Sequence, residues 1–300
     1  MLHVLNGEAA LKPLKRAAVP GEFMVWREML MEGPLKRGRD GSLDWKARAA
    51  YLSVRYGIDA KSHLIHIQSF FQSLHLAADS GRQVVFWFEE DFFHQIHLVF
   101  LLAHLPKGLR SPGRTRIICL DKELCNLGPR DMERLFMDRR PLDQGLQTLS
   151  RKAWKAFAKQ DATALKRLIG KSGPGAVEGF GPGRNFASWP LLKRGLLAYL
   201  GAKPPAGRVG SVEAAILRCL AAGNGKRLRF RECYRRVTEN PGVKSLGLGE
   251  MQVARLILDM AGRKQPSLTI GKGAPPRMPK EISGLSRWHL SLINWTRKDA

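Results

Sequence analysis

Along residues 1–125, short apolar runs alternate with stretches of helical periodicity. Leu2-His3-Val4-Leu5 is apolar and stops at Asn6-Gly7, and a helical stretch follows to about Arg16. Glu22 to Trp26 reads as a second strand after the turn at Pro20-Gly21. Two helices are predicted near 44–57 and 60–79. Gln83 to Phe88 is the clearest strand, rich in Val and aromatics and bounded by Gly81. From about Asp91 to Leu105 the apolar positions Phe92, Ile96, Val99, Phe100 and Leu102 fit one helical face. Thr115 to Leu120 is a fourth strand. Nearly continuous apolar strands alternating with helices predict an α/β domain over 1–125, a small parallel sheet with flanking helices.

Beyond residue 125 the strand pattern stops. Residues 126–205 form a predicted helical segment, with helices near 130–137, 142–158, 161–170 and 187–201 and a Gly-rich loop at 171–186. Gly201 and Pro204-Pro205 mark a boundary. In 206–300, Ser211 suits the cap of a helix running through Ala222, with Val212, Ile216, Cys219 and Leu220 as its buried stripe. On that face Cys219 reads as a small core residue. A second helix covers about Phe230 to Val237 and a third Gly249 to Ala261, then Ser267 to Ile270 forms a strand. Three helices followed by a strand predict a winged-helix-like domain, with a basic tail.

Charge changes this picture more than overall composition does. The chain has 300 residues, 44% of them hydrophobic, and 50 Lys and Arg against 26 Asp and Glu, a net +24. Residues 151–300 hold 29 basic and 9 acidic side chains, so a surplus of 20 lies in one half. A single-sign field confined to one half is the footprint of a polyanion, most often nucleic acid. Arg-rich coding in a high-GC genome is the competing explanation. The candidate phosphate contacts are Lys226, Arg227, Arg229, Arg231, Arg235 and Arg236. The exposed side of the third helix would carry Glu250, Gln252, Arg255 and Asp259, which is poorly basic for reading a major groove. No run approaches the roughly 18 apolar residues of a membrane helix, and the first eight residues lack a secretory pattern. Cys119, Cys125, Cys219 and Cys233 form no CxxC pair and read as reduced thiols of a cytoplasmic protein.

An acidic residue follows each predicted strand: Glu8, then Glu28 beside Arg27, then Glu89, Glu90 and Asp91, then Asp121. Open α/β sheets bind ligands at the carboxyl ends of their strands. Glu8, Glu28, Glu89 and Asp91 are therefore the candidate catalytic carboxylates. His3, Asn6, Gly7, Arg27, Gly33 and Gln95 are the ligand-binding candidates around them. The competing roles are structural: a carboxylate opening a helix caps it, as Asp91 would, and a buried Arg27 pairing with Glu28, Glu89 or Asp91 would only hold loops together. By the same reasoning Trp26 and Trp87, at strand ends, are core residues rather than stacking platforms.

His3-Val4-Leu5-Asn6-Gly7-Glu8 and Val25-Trp26-Arg27-Glu28, leading to Glu32-Gly33-Pro34, resemble the opening motifs of the bacterial family called domain of unknown function 1835. Trp87-Phe88-Glu89-Glu90-Asp91-Phe92-Phe93-His94-Gln95-Ile96 is similar to that family's third motif, and Arg139-Arg140-Pro141-Leu142 and Ala153-Trp154-Lys155-Ala156-Phe157 to its helical middle. The resemblance covers much of 1–105 and implies a comparable winged-helix-like C-terminal unit, but no activity. Glu8 and Ala9 replace the family's usual Asp and Ser, which removes any chemistry that needs that hydroxyl.

Weaker motifs add little. His63-x-x-His66 and His94-x-x-His97 have zinc-compatible spacing but no evident third ligand, so no metal is expected. Gly170-Lys171-Ser172 lacks the earlier Gly of a phosphate loop. Gly179 to Gly183 is a connector. Two function classes remain open: a nucleic-acid-associated protein, or an enzyme, hydrolase or transferase, acting on a phosphorylated or nucleotide-like small molecule at the acidic rim. The sequence names no cofactor.

Overall fold

The computed structural model describes residues 1–38, 42–120, 123–170, 188–202, 210–222, 227–263, 268–270 and 289–292. Asp121, the 171–186 loop, Pro204-Pro205, Lys226 and most of the tail lie outside these residues. Two compact units emerge, one comprising 1–48 and 61–196, the other 49–60 and 197–300. The helical segment expected at 126–205 thus falls with the first unit as far as Leu196.

In the first unit the predicted strands and helices form in order. They are β1 (Leu2–Asn6), α1 (Leu11–Arg16), β2 (Glu22–Trp26), α2 (Trp45–Tyr56, whose first turn belongs here), α3 (Ala60–Asp79), β3 (Val84–Glu89), α4 (Phe92–Ala103) and β4 (Thr115–Leu120). Next come α5 (Pro129–Met137), β5 (Arg140–Pro141), α6 (Gln144–Ala158), α7 (Ala162–Gly170) and the start of α8 (Ser188–Ala202). The sheet order is β2-β1-β3-β4-β5. β1 to β4 are parallel, in the register Leu5 beside Val25 and Trp87. The expected all-parallel sheet needs one correction. β5 adds an antiparallel edge, pairing Ile117 with Arg140. Its two residues are too short to show a strand pattern, and a proline is tolerated there because an edge strand need not donate on both sides.

Alternation along the strands sorts the core into two layers. Leu5, Val25, Val85, Trp87 and Ile118 meet Leu14 of α1 and Met132 of α5. On the other face Trp26 packs against Phe70 of α3, Phe100 of α4 and Trp45 of α2. Trp154 of α6 extends this layer from Phe100. Trp26 and Trp87 are both fully buried.

The second unit holds α9 (Ser211–Ala221), β6 (Leu228–Arg229), α10 (Phe230–Thr238), the single turn α11 (Pro241–Lys244), α12 (Glu250–Ala261), β7 (Leu268–Ile270) and β8 (His289–Leu292). Two strands go beyond the sequence expectations: β6 is only two residues long, and β8 is a four-residue stretch within a basic tail, too short to stand out. All three pair antiparallel in the order β6-β8-β7, with Leu290 beside both Leu228 and Ile270. Ile216, Leu220, Phe230, Cys233, Val237, Val253, Ile257, Leu268 and Leu290 are buried. Ser211 does not cap α9. Gly210 takes the extended cap conformation one residue earlier, which places Ser211 inside the helix. Cys219 is half-buried and Cys233 is the fully buried thiol of the pair, so the core position lies on α10. No helix among the described residues is long and apolar enough to cross a membrane.

Candidate functional site

The strand order reverses between β1 and β3, the place where open α/β sheets bind ligands. Asn6 ends β1 there, and Gly7 turns the chain with φ +80°, a conformation that costs a side-chain-bearing residue more than it costs glycine. His97 of α4 reaches across. Its Nε2 accepts the Leu30 backbone N–H at 3.0 Å, so the ring proton sits on Nδ1 and is donated to Asn6 Oδ1, also at 3.0 Å. Burial holds the His97 pKa down at about 3, so the ring is neutral. Asn6 Nδ2 is buried with no hydrogen-bond partner among the described residues.

Glu28 is fully buried beside this point, and a residue absent from the sequence candidates holds it. Arg48 of α2 donates through Nε to both Glu28 oxygens and through Nη2 to Oε2 and the Met29 carbonyl. Its Nη1 donates to the Glu32 and Pro34 carbonyls at 3.0 and 3.1 Å. All five guanidinium N–H groups are therefore engaged. Glu28 also accepts the Met29 N–H at 2.7 Å and lies 3.2 Å from His63 Nε2. Burial alone would raise the Glu28 pKa, but His63 and Arg48 outweigh it and hold the carboxyl at about 2. This clamp fixes the loop from Glu28 to Pro34, including Gly33 at φ +79°. One signal pointed to Arg48: it sits in the helical stripe Trp45, Arg48, Ala49, Leu52, Tyr56, where a core-facing arginine needs a buried acid.

The alternative of a buried Arg27 pairing with Glu28, Glu89 or Asp91 does not hold, because Arg27 is exposed. It pairs with Glu8, and its Nη1 meets His66 Nδ1 at 3.3 Å. Because both partners are more than half exposed, the pair contributes little to stability.

Glu89 and Asp91 form a third group around His94. Among the described residues, only Glu89, Asp91 and His94 bring ligand-type atoms within 4.8 Å of one another. His97, the other member of the His94-x-x-His97 pair, has its ring committed to Leu30 and Asn6. A metal needs a ring-nitrogen lone pair, but His94 Nδ1 already accepts the Glu89 backbone N–H at 3.0 Å, which leaves the proton on Nε2. Asp91 Oδ1 caps α4 by accepting His94 N–H, and Glu89 Oε1 accepts Leu124 N–H at 2.9 Å. Burial raises the Glu89 pKa against the pull of His94. Gln95 is buried. Its Nε2 donates to the Glu89 carbonyl at 2.6 Å and to Cys119 Sγ at 3.0 Å. Burial pushes that thiol up to about 12.

His3 lies inside the sheet core. Nδ1 accepts Trp87 Nε1–H at 3.0 Å, so Nε2 carries the proton that meets the Pro20 carbonyl. The four candidate carboxylates thus fall into three sets: Glu8 with Arg27, Glu28 with Arg48, and Glu89 and Asp91 around His94. Each set is engaged by its own partners.

In the second unit Arg227, Arg229, Arg231, Arg235 and Arg236 are all exposed. Arg235 pairs with Glu239 and Arg236 with Glu232 along α10. Among the described residues the other three have no ion-pair partner. On α12 Gln252 is buried rather than exposed, because its Oε1 accepts the Gly249 N–H at the helix start. Arg255 is held by Asp259. No family model matches the chain, and no curated protein or solved structure does either.

Proposed function

We propose that this is a nucleic-acid-associated protein that holds phosphates on the surface of its second unit. One observation carries this reading: five exposed arginines lie in and just before β6 and α10, in a unit with the order helix, strand, helix, single turn, helix, strand, strand. That order, with the last strand between the other two, supports a winged helix-turn-helix. The third helix of such a module usually enters the major groove. Here α12 offers a paired Arg255 and a buried Gln252, so base reading has little to work with. Contacts to phosphate position a duplex without selecting its sequence. The likeness of the first unit to the domain of unknown function 1835 rests on motif residues that build the Arg48 clamp and the His94 cluster.

Binding of the full chain to a mixed-sequence duplex is expected to weaken steeply with salt, by a slope of roughly −0.9 per phosphate neutralised. Changing Arg227, Arg229, Arg231, Arg235 and Arg236 to Gln is expected to flatten that slope by several units, evenly across sequences. An unchanged slope in this variant rejects the proposal.

A further inference from the structure

The acidic rim is a poor home for a phosphorylated small molecule, since like charges repel. A different part of the first unit suits one. A cavity of about 460 Å³ opens between residues 35–37 with 42–43, the end of α4 and the last turns of α6. That volume lies in the range of small-molecule sites. Lys36 and Arg37 stand on one wall, Lys155 and Lys159 on the other, and His104 and Trp154 line it between them. Among the described residues the lining includes no carboxylate, and none of the four cations has an ion-pair partner. We infer that this cavity binds a small phosphate-bearing molecule through Lys36, Arg37, Lys155 and Lys159.

Three features support the assignment. The four cations come from two segments far apart in sequence, so the fold gathers like charges into one concavity, which an unoccupied protein has no reason to favour. Lys155 and Lys159 are one helical turn apart, so both lie on one exposed side of the end of α6. Trp154 itself is almost fully buried and packs against His104 and Phe100, which makes the wall rigid. Burial, then Arg37 and Arg110, lower the His104 pKa, so this ring adds no charge of its own. A competing role for the lysines is to complement the carbonyl end of α6. That role leaves Lys36 and Arg37 unexplained, because neither lies on a helix.

Calorimetric titration of the full chain with inorganic pyrophosphate at constant ionic strength tests this. One equivalent is expected to bind. Lys36→Gln with Arg37→Gln, and separately Lys155→Gln with Lys159→Gln, are each expected to weaken it about tenfold or more, as loss of charge-assisted hydrogen bonds does. All four side chains are exposed, so melting temperatures should stay close to wild type. Arg231→Gln with Arg235→Gln is expected to leave pyrophosphate binding alone. ADP competing with pyrophosphate would identify a nucleotide as the source of the phosphates, and pyrophosphate binding without ADP competition a free polyphosphate. Several weak equivalents insensitive to both cavity pairs would overturn the site. So would displacement of pyrophosphate by an oligonucleotide, since the cavity would then belong to a nucleic-acid face.

Discussion

Arg48 in the first unit and Arg231 in the second carry the same charge in opposite circumstances. Arg48 is fully buried, and its five donors are engaged by Glu28 and three backbone carbonyls. Arg231 is exposed on α10 and has no ion-pair partner among the described residues. The difference runs through both units. In the first, the polar groups near the strand ends mostly close loops and cap helices. In the second, the basic groups face outward. Residue type and position relative to a strand therefore do not make a site. A group with remaining hydrogen-bonding capacity does, and by that measure the second unit's arginines and the cationic cavity rank above the acidic rim.

The largest expected effects test whether the first unit's strand ends are structural. Trp26→Ala and Trp87→Ala should each lower stability in urea by about 3–5 kcal/mol. A milder exchange separates them. Among the described residues Trp26 Nε1 is buried without a partner, whereas Trp87 Nε1 donates to His3. Trp26→Phe should therefore cost clearly less than Trp87→Phe, which leaves His3 Nδ1 unsatisfied. Near-native midpoints in the alanine variants, with nucleic-acid binding lost, would move both rings into a binding surface.

Arg48→Met strands a buried carboxylate, and the expected cost is about 3–5 kcal/mol. Adding Glu28→Gln to that variant should recover a good part of the loss, because the isolated charge disappears. If the double variant is no more stable than Arg48→Met alone, the carbonyl contacts to Glu32 and Pro34 matter more than the ion pair.

Acid should expose the same buried groups. His97 titrates near 3 when folded and near 6.5 when unfolded, so the unfolded chain takes up the proton first. Stability is complete above about pH 6.5 and falls below it, by about 1.4 kcal/mol per pH unit, until the folded pKa is reached. Glu28, with its folded pKa near 2 against 4.5, loses its contribution only as pH drops below about 4.5. Burial pushes His3, His66 and His104 the same way as His97. Urea midpoints between pH 7 and 4.5 should therefore drop steeply in the wild type. His97→Gln should remove roughly one proton's share of that slope, and an unaltered slope would mean that His97 titrates normally.

Most of the fold could be read from periodicity, because β1 to β4 and the longer helices are patterned over enough residues to show it. β5 and β6, two residues each, carry no pattern. The site was harder. Burial of Glu28 depends on Arg48, twenty residues away, and its position in an otherwise apolar helical stripe was the only trace. The cavity's cations come from a loop and a helix whose approach no local spacing encodes. His94 next to Glu89 and Asp91 was visible in the motif, but the backbone N–H that occupies its Nδ1 was not.

The smallest expected effect is at the exposed end of the same rim. Glu8 and Arg27 are paired in the structure, yet their side chains are 64% and 53% exposed. Water screens such a pair and its geometry costs side-chain entropy, so a double-mutant cycle with Glu8→Gln and Arg27→Gln should give a coupling of about 0–1 kcal/mol, shrinking with added salt. Arg27 has a second neighbour in His66, whose pKa is lowered first by burial and then by that guanidinium. Removing the guanidinium should therefore raise the His66 pKa, a change visible by NMR titration even where stability hardly moves. A coupling of several kcal/mol would mean that Glu8 and Arg27 are held far more rigidly than their exposure allows. The outermost part of the rim would then resemble the buried Glu28 clamp rather than the open arginine surface of α10.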